Sequence, residues 1–290
     1  TLYCLAGNDI SSSGRLVGLL VRDLKKHFTL KNGMSTQKEY PDRPIRWYTH
    51  YLSDNMPRES VAGGIAIVVD VLRASTTIVT ALEEGAAFVK PVSGVDEARR
   101  LKHGDFSSCL LGGERGGLRI AGFDLGNSPA EYTHSVVAGR GVLMTTTNGT
   151  LAIERCEAAR EILVGSFVNR TSVARTALLL AAKHGMDAIH LVCAGTNGEE
   201  TDEDILGAGA IVDAGIVAAK GHSLFDPCSQ KASFEFLRVI NGSGDSRGRL
   251  AARLRQSLGG KNLIRLGMDS DLVLAAAVDH SRLVPYQCPR

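Results

Sequence analysis

The sequence is poor in aromatic residues and lacks a dominant charge. Aromatics make up 5% of its 290 residues, and 33 basic side chains stand against 31 acidic ones, a formal net charge of +2. Nothing in that balance points to nucleic acid or a membrane surface as a partner. No apolar run approaches the ~20 residues needed to cross a bilayer. Six cysteines occur, Cys4, Cys109, Cys156, Cys193, Cys228 and Cys288, but none forms a C-x-x-C pair. They read as reduced, mostly buried thiols of a cytoplasmic protein. The G-x-x-x-x-G-K-[ST] phosphate loop of nucleotide hydrolases is missing, and so is a G-x-S-x-G nucleophile elbow.

What is present is a large apolar fraction, 44%, together with 32 glycines. That suffices for a sizeable core and for many tight loops. Residues 1–33 precede Met34 and read as a leader or non-native extension outside the fold, although Leu16–Leu30 has the pattern of a basic amphipathic helix. Residues 34–290 then form the domain.

From Ile65 the pattern becomes regular. Ile65–Val69 is a continuous apolar run, as in a strand buried on both faces. A loop at 70–73 follows, then a helix capped by Ser75 or Thr76 and stopped by Gly85. Strand, loop and helix recur: strands at 88–92, 109–111, 141–144, 162–164 and 188–193, and helices at 96–103, 150–159, 171–184 and 202–220. A Gly-rich loop is expected over 112–126, and helices over 229–240, 247–258 and 269–279. This order predicts an α/β fold, three-layer α/β/α, with a mostly parallel or mixed sheet. The units after Ile65 and Gly141 share an outline that hints at internal duplication.

Four segments carry chemistry. In Asp70-Val71-Leu72-Arg73-Ala74-Ser75-Thr76-Thr77, a carboxylate at a strand end suits Mg²⁺, a hard cation, and Arg73 and a helix N-terminus suit an oxyanion. The same residues also read as a turn with ordinary caps. Gly112–Gly117 places Glu114 and Arg115 between glycine pairs, and otherwise reads as a surface loop. Thr145–Thr150 could cradle an oxyanion, or be a turn bent at Asn148-Gly149. Five carboxylates over 199–204 could bind metal, or Thr201 and Asp204 could form a capping box.

Together these segments resemble the 2-phosphosulfolactate phosphatase family, over residues 45–285. The matching stretches are Val68–Thr77, Gly113–Gly117, Phe123–Pro129, Thr146–Thr150, and Cys193–Gly195 with Glu203-Asp204, in the family's order. The resemblance implies Mg²⁺-dependent hydrolysis of 2-phosphosulfolactate to sulfolactate and phosphate, a step on the route to coenzyme M. It implies Asp70, Glu114 and Asp204 as catalytic, and Asp70, Glu203 and Asp204 as metal ligands. Arg73, Ser75, Thr76, Arg115, Asn127, Thr147, Asn148, Gly149 and Cys193 are expected to hold the substrate. A haloacid-dehalogenase-type phosphatase is disfavoured, because Val71 and Leu72 follow Asp70 where that mechanism needs a second Asp. Two alternatives stay open: a non-catalytic module that binds phosphorylated metabolites, and a phosphatase of the same fold with another small substrate. A homo-oligomer also stays open.

Overall fold

All five residues of Ile65–Val69 are buried, and they alternate between two cores. Ile65, Ile67 and Val69 join one apolar cluster, while Ala66 and Val68 join another. A strand covered on both faces requires this, and it makes the architecture three-layered. The computed structural model describes residues 3–5 and 43–287. In chain order its principal elements begin with β1 (Tyr3–Leu5), β2 (Ile45–His50), β3 (Ile65–Val69), α1 (Ala74–Glu83), β4 (Phe88–Pro91) and α2 (Val95–Lys102). Next come β5 (Leu110–Arg115), β6 (Leu118–Arg119), α3 (His134–Val137), β7 (Gly141–Thr145), α4 (Gly149–Arg155), β8 (Glu161–Gly165) and α5 (Arg170–His184). The chain continues with β9 (Ala188–Cys193), α6 (Asp202–Ala219), β10 (Ser223–Phe225) and α7 (Pro227–Ile240). It closes with α8 (Ser246–Leu254), α9 (Leu258–Arg265), α10 (Ser270–Ala275) and β11 (Pro285–Gln287).

The strand order is β10-β2-β9-β3-β8-β11-β1-β4-β7-β5-β6. The first five strands are mutually parallel, and so are β4, β7 and β5. Antiparallel β11 and β1 lie between the two blocks. The sheet is therefore mixed, and the α/β expectation holds. Trp47, Phe167, Ile211 and Phe236 lie in the core that includes Ile65, beneath α5, α6 and α7. Ile78, Leu82 and Ile153 lie in the other core, beneath α1 and α4.

The two similar units are interleaved. In β3–α1–β4 and β7–α4–β8, the first strand of each unit pairs with the last strand of the other. Ile65–Val69 runs in register with Glu161–Gly165, and Phe88–Pro91 with Gly141–Met144. Each helix thus carries the chain from one block to the other, and the N-termini of α1 and α4 meet. A Cβ on Gly149 would lie 2.6 Å from the Cβ of Ala74 and 2.6 Å from Oδ2 of Asp70, so only glycine fits there.

Three sequence expectations change. The Gly-rich loop begins later, because Gly112–Arg115 continues β5 and turns back through Gly116-Gly117 into β6. The helix expected over 247–258 ends at Leu254 as α8, and a further, unexpected helix, α9, starts after the Ser257 cap. Of the segment expected outside the fold, Tyr3–Leu5 forms β1; residues 6–42, with Met34 and the candidate amphipathic helix, lie outside the described residues. Among the described residues no helix is long and apolar enough to cross a membrane.

Candidate active site

A cleft of ≈ 490 Å³ opens beyond the carboxyl end of β3, lined by residues of the 70–73, 114–117 and 147–148 loops and of α9. This is where open α/β sheets bind ligands. The buried Asp70 lies at the end of β3 and lines the cleft. Its Oδ1 accepts a hydrogen bond from the Ala74 amide at 3.1 Å, while its Oδ2 accepts none from any described residue. Burial pushes its carboxyl up to about 7, opposed by the Ala74 amide and reinforced by the charges of Glu114 and Glu203.

Glu114 is buried at the end of β5 and also lines the cleft. Its Oε1 accepts from the amide and hydroxyl of Thr147, at 2.8 and 3.0 Å, and its Oε2 from the Gly117 amide at 2.7 Å. One carboxylate thus pins together the turns after β5 and β7.

Of the five carboxylates over 199–204, Glu203 and Asp204 turn inward at the start of α6. Asp204 is not a capping residue. Its Oδ1 accepts from the Val71 amide at 2.8 Å and its Oδ2 from the Gly195 amide at 3.0 Å, so it braces the loops after β3 and β9. Thr201 makes no side-chain cap, and its hydroxyl has no partner. The Asp204 carboxyl is raised well above its usual range by burial and then by Asp70 and Glu203. Glu203 is raised as well, chiefly by burial. Its Oε1 accepts from the Gly259 amide at 3.0 Å, and its Oε2 is buried without a partner. A Cβ on Gly259 would lie 2.2 Å from that Oε1, so glycine is required where α9 docks on the acid cluster.

Arg73 lines the cleft, but its guanidinium is already engaged. Nη1 donates to Oδ2 of Asp271 at 2.9 Å and Nη2 to the Gly117 carbonyl at 2.7 Å. Arg115 is exposed and does not line the cleft. It donates to the carbonyl of Glu114 and to Oγ1 of Thr145. Ser75 and Thr76 lie inside α1 and serve the fold: the Asp70 amide donates to Oγ of Ser75, and Thr76 bonds to the Val71 carbonyl and Ser166. Cys193 ends β9 within the core, and burial drives its thiol well up. Asn127, Thr147 and Asn148 do line the cleft, and Oδ1 of Asn127 is buried without a partner. Gly149 opens α4 beside Asp70.

Residues of two helices, α9 and α10, join the site although none of the sequence motifs singles them out. Asp271 on α10 holds Arg73 and accepts a 2.6 Å hydrogen bond from Ser128. From α9, Lys261, Asn262 and Arg265 line the cleft. The Ser257 cap followed by Lys261 and Arg265 at i, i+4 was the available signal.

The donor set suits a hard cation without forming a complete cage. Among the described residues no three His, Cys, Asp or Glu side chains converge closely enough to hold a metal alone. Yet Asp70, Glu114, Glu203 and Asp204 are all buried, Arg73 is neutralised by Asp271, and oxygens of Asp70 and Glu203 lack hydrogen bonds.

The family model described as 2-phosphosulpholactate phosphatase matches residues 51–289. Similar proteins named "Probable 2-phosphosulfolactate phosphatase" occur in several bacteria. The one from Deinococcus radiodurans is 42% identical over 226 residues, covering 78% of this chain and 88% of the relative. The one from Symbiobacterium thermophilum is 38% identical over 230 residues, covering 79% and 93%. That from Clostridium acetobutylicum is 36% identical over 233 residues, covering 80% and 93%.

Proposed function

This chain belongs to the 2-phosphosulpholactate phosphatase family of phosphoric monoester hydrolases, and on that premise we propose that it removes phosphate from a small anionic 2-hydroxy acid with the help of Mg²⁺. The leading substrate is 2-phosphosulfolactate, giving sulfolactate and inorganic phosphate. The observation that carries the reading is the disposition of Asp70: it lines the cleft with one oxygen held by the α1 amide and the other without a hydrogen bond, amid buried acids.

In the reaction the bond between phosphorus and the substrate's 2-oxygen breaks, a water oxygen bonds to phosphorus, and the departing oxygen takes a proton. Phosphoryl transfer is catalysed mostly by positioning and by offsetting charge. Mg²⁺ would be held by Asp70 and Glu203, since one or two carboxylates with water and substrate phosphate suffice for this ion. It would supply the positive charge that the transferring group requires. Asp204 acts one step back, holding the loops after β3 and β9 at fixed separation. Glu114 sets the Gly117 turn against Thr147, and Asn127 brings a buried, unpartnered Oδ1 to the cleft, an acceptor that suits a cation rather than the anion.

The test is phosphate release from 2-phosphosulfolactate, phospholactate and glycerol phosphate, each with Mg²⁺ and with EDTA. The expected result is Mg²⁺-dependent turnover, with the phosphorylated acids favoured roughly tenfold or more in kcat/KM, ~1.4 kcal/mol. Equal rates on all three, unchanged by EDTA, would overturn the proposal.

A further inference from the structure

A phosphorylated acid brings two kinds of anion into the cleft: the phosphate that leaves, and the carboxylate or sulfonate that stays. The cations near the cleft are not equally free to meet the second. Arg73 is buried, paired with Asp271 at 2.9 Å and tied to the Gly117 carbonyl. Its charge is spent inside the protein, and it draws the Gly116-Gly117 turn toward α10. Arg115 lies outside the cleft and is bonded to Glu114 and Thr145. Arg265 lines the cleft but donates from Nη2 to Oδ1 of Asn262 at 2.7 Å. Lys261 lines the same wall and is exposed. Among the described residues no hydrogen bond or ion pair engages its ammonium.

We propose that Lys261 pairs with the non-transferring acid group of the substrate, and so sets the preference for phosphorylated acids over simple alkyl phosphates. The inference rests on the phosphatase reading above and names the residue that reads its substrate. The position of α9 supports it. The helix is docked at its first turn by the Gly259 amide on Glu203, and its own cap, Ser257, accepts from the Gly260 amide. The carboxylate that anchors α9 therefore belongs to the acid cluster, which places the lysine at a set span from Asp70. Asn262 lies against the Gly117 turn, 3.1 Å from where a Cβ would stand, and so ties the far side of α9 to the hairpin. The cleft thus carries the carboxylates of Asp70 and Glu114, from the ends of β3 and β5, together with the cations Lys261 and Arg265 from α9. An ammonium in water loses little while it waits, and it meets an incoming anion as a point charge.

The full chain is compared with Lys261→Met and Lys261→Arg, using sulfolactate and inorganic phosphate as separate calorimetric probes. Lys261→Met is expected to weaken sulfolactate binding roughly tenfold while leaving phosphate binding within about twofold. In turnover it should raise KM for phosphorylated acids by roughly the same factor, with kcat nearly unchanged and glycerol phosphate unaffected. Lys261→Arg should recover most of the loss. Equal sulfolactate affinity in wild type and Lys261→Met would overturn the inference, as would parallel weakening of both probes. If the wild type prefers phosphorylated acids and Lys261→Met keeps that preference, the inference alone falls. If the wild type neither binds sulfolactate nor releases phosphate from any phosphorylated acid, the phosphatase reading falls and takes the inference with it.

Discussion

Arg73 and Asp271, 198 residues apart in the chain, form a 2.9 Å ion pair in which neither side chain is more than 3% exposed. The pair joins the start of α1 to α10, and Ser128 satisfies the second carboxylate oxygen. Removing one partner leaves the other charge buried and unpaired. Asp271→Ala should therefore destabilise the fold by ~3–5 kcal/mol, while the double change Arg73→Met with Asp271→Leu should cost clearly less. Urea unfolding of the three proteins measures this. A double variant no more stable than Asp271→Ala would show that the two side chains are not coupled.

How much of this was legible in sequence follows from which signals are local. The run Ile65–Val69 and the acid after it are local, so β3 and Asp70 were placed correctly. Their surroundings are not local. Ser75 and Thr76 looked like caps, but the Ala74 amide is taken by the Asp70 carboxylate, leaving both hydroxyls inside the helix. Asp204 looked like half of a capping box, yet it reaches across to Val71, 133 residues away. Strand β2 carries Arg46, Tyr48 and His50 on a partly exposed face, so it lacks the continuous apolar run that marks β3. Lys261 and Asp271 join the site only through the docking of short helices that no periodicity ties to β3. Of the expected residues, Asp70, Arg73, Glu114, Asn127, Thr147 and Asn148 line the cleft, while tertiary contacts set what the others touch.

Asp70→Asn separates function from stability. Burial already disfavours the charged carboxylate, with its titration pushed up to about 7. At pH 8 a neutral isostere relieves that cost, so the melting temperature should hold or rise. Turnover in saturating Mg²⁺ should fall roughly a hundredfold or more, because charge at the transferring group is no longer offset. Activity within about threefold of wild type would remove Asp70 from the chemistry.

Arg115→Lys tests a residue that the sequence pattern put in the site and the fold puts outside the cleft. Its guanidinium serves a neighbouring carbonyl and a threonine hydroxyl. Kinetic parameters for phosphorylated acids should stay within about threefold of wild type, as for exposed positions generally. A large rise in KM would place Arg115 on the substrate after all.

Gly149→Ala probes the meeting point of the two interleaved units. The added Cβ would stand 2.6 Å from both the Ala74 Cβ and Asp70 Oδ2, so one of them must move. Overpacking of this kind costs ~1–3 kcal/mol. Because Asp70 is the softer neighbour, turnover should fall more than stability, by roughly ten- to a hundredfold. Unchanged turnover together with unchanged melting would show that the helix N-termini separate freely.

The last prediction concerns pH and stability. His190 is 5% exposed on β9, its ring stacked on Tyr48 at 5.1 Å and on His50 at 5.4 Å. Nε2 of His50 and Nδ1 of His190 lie 3.1 Å apart, a hydrogen bond that needs one nitrogen to accept. Burial, with the neighbouring His50 charge adding to it, pushes His190 down to about 4, and burial lowers His50 as well. The folded chain therefore holds these rings neutral, while the unfolded chain protonates them near the ordinary value of 6.5. Between those two values the unfolded state binds the extra proton, so stability rises with pH and is lost as pH falls from about 6.5 toward 4. At pH 5 the His190 contribution amounts to about 2 kcal/mol at most. His190→Gln keeps a polar group and removes the titration. Its melting temperature at pH 7 should lie at or below that of wild type. Its further drop between pH 7 and pH 5 should be smaller, because the proton-linked loss is gone. Parallel melting curves for the two proteins across that range would show that His190 carries its proton in the folded state, and that the stacked pair does not hold it neutral.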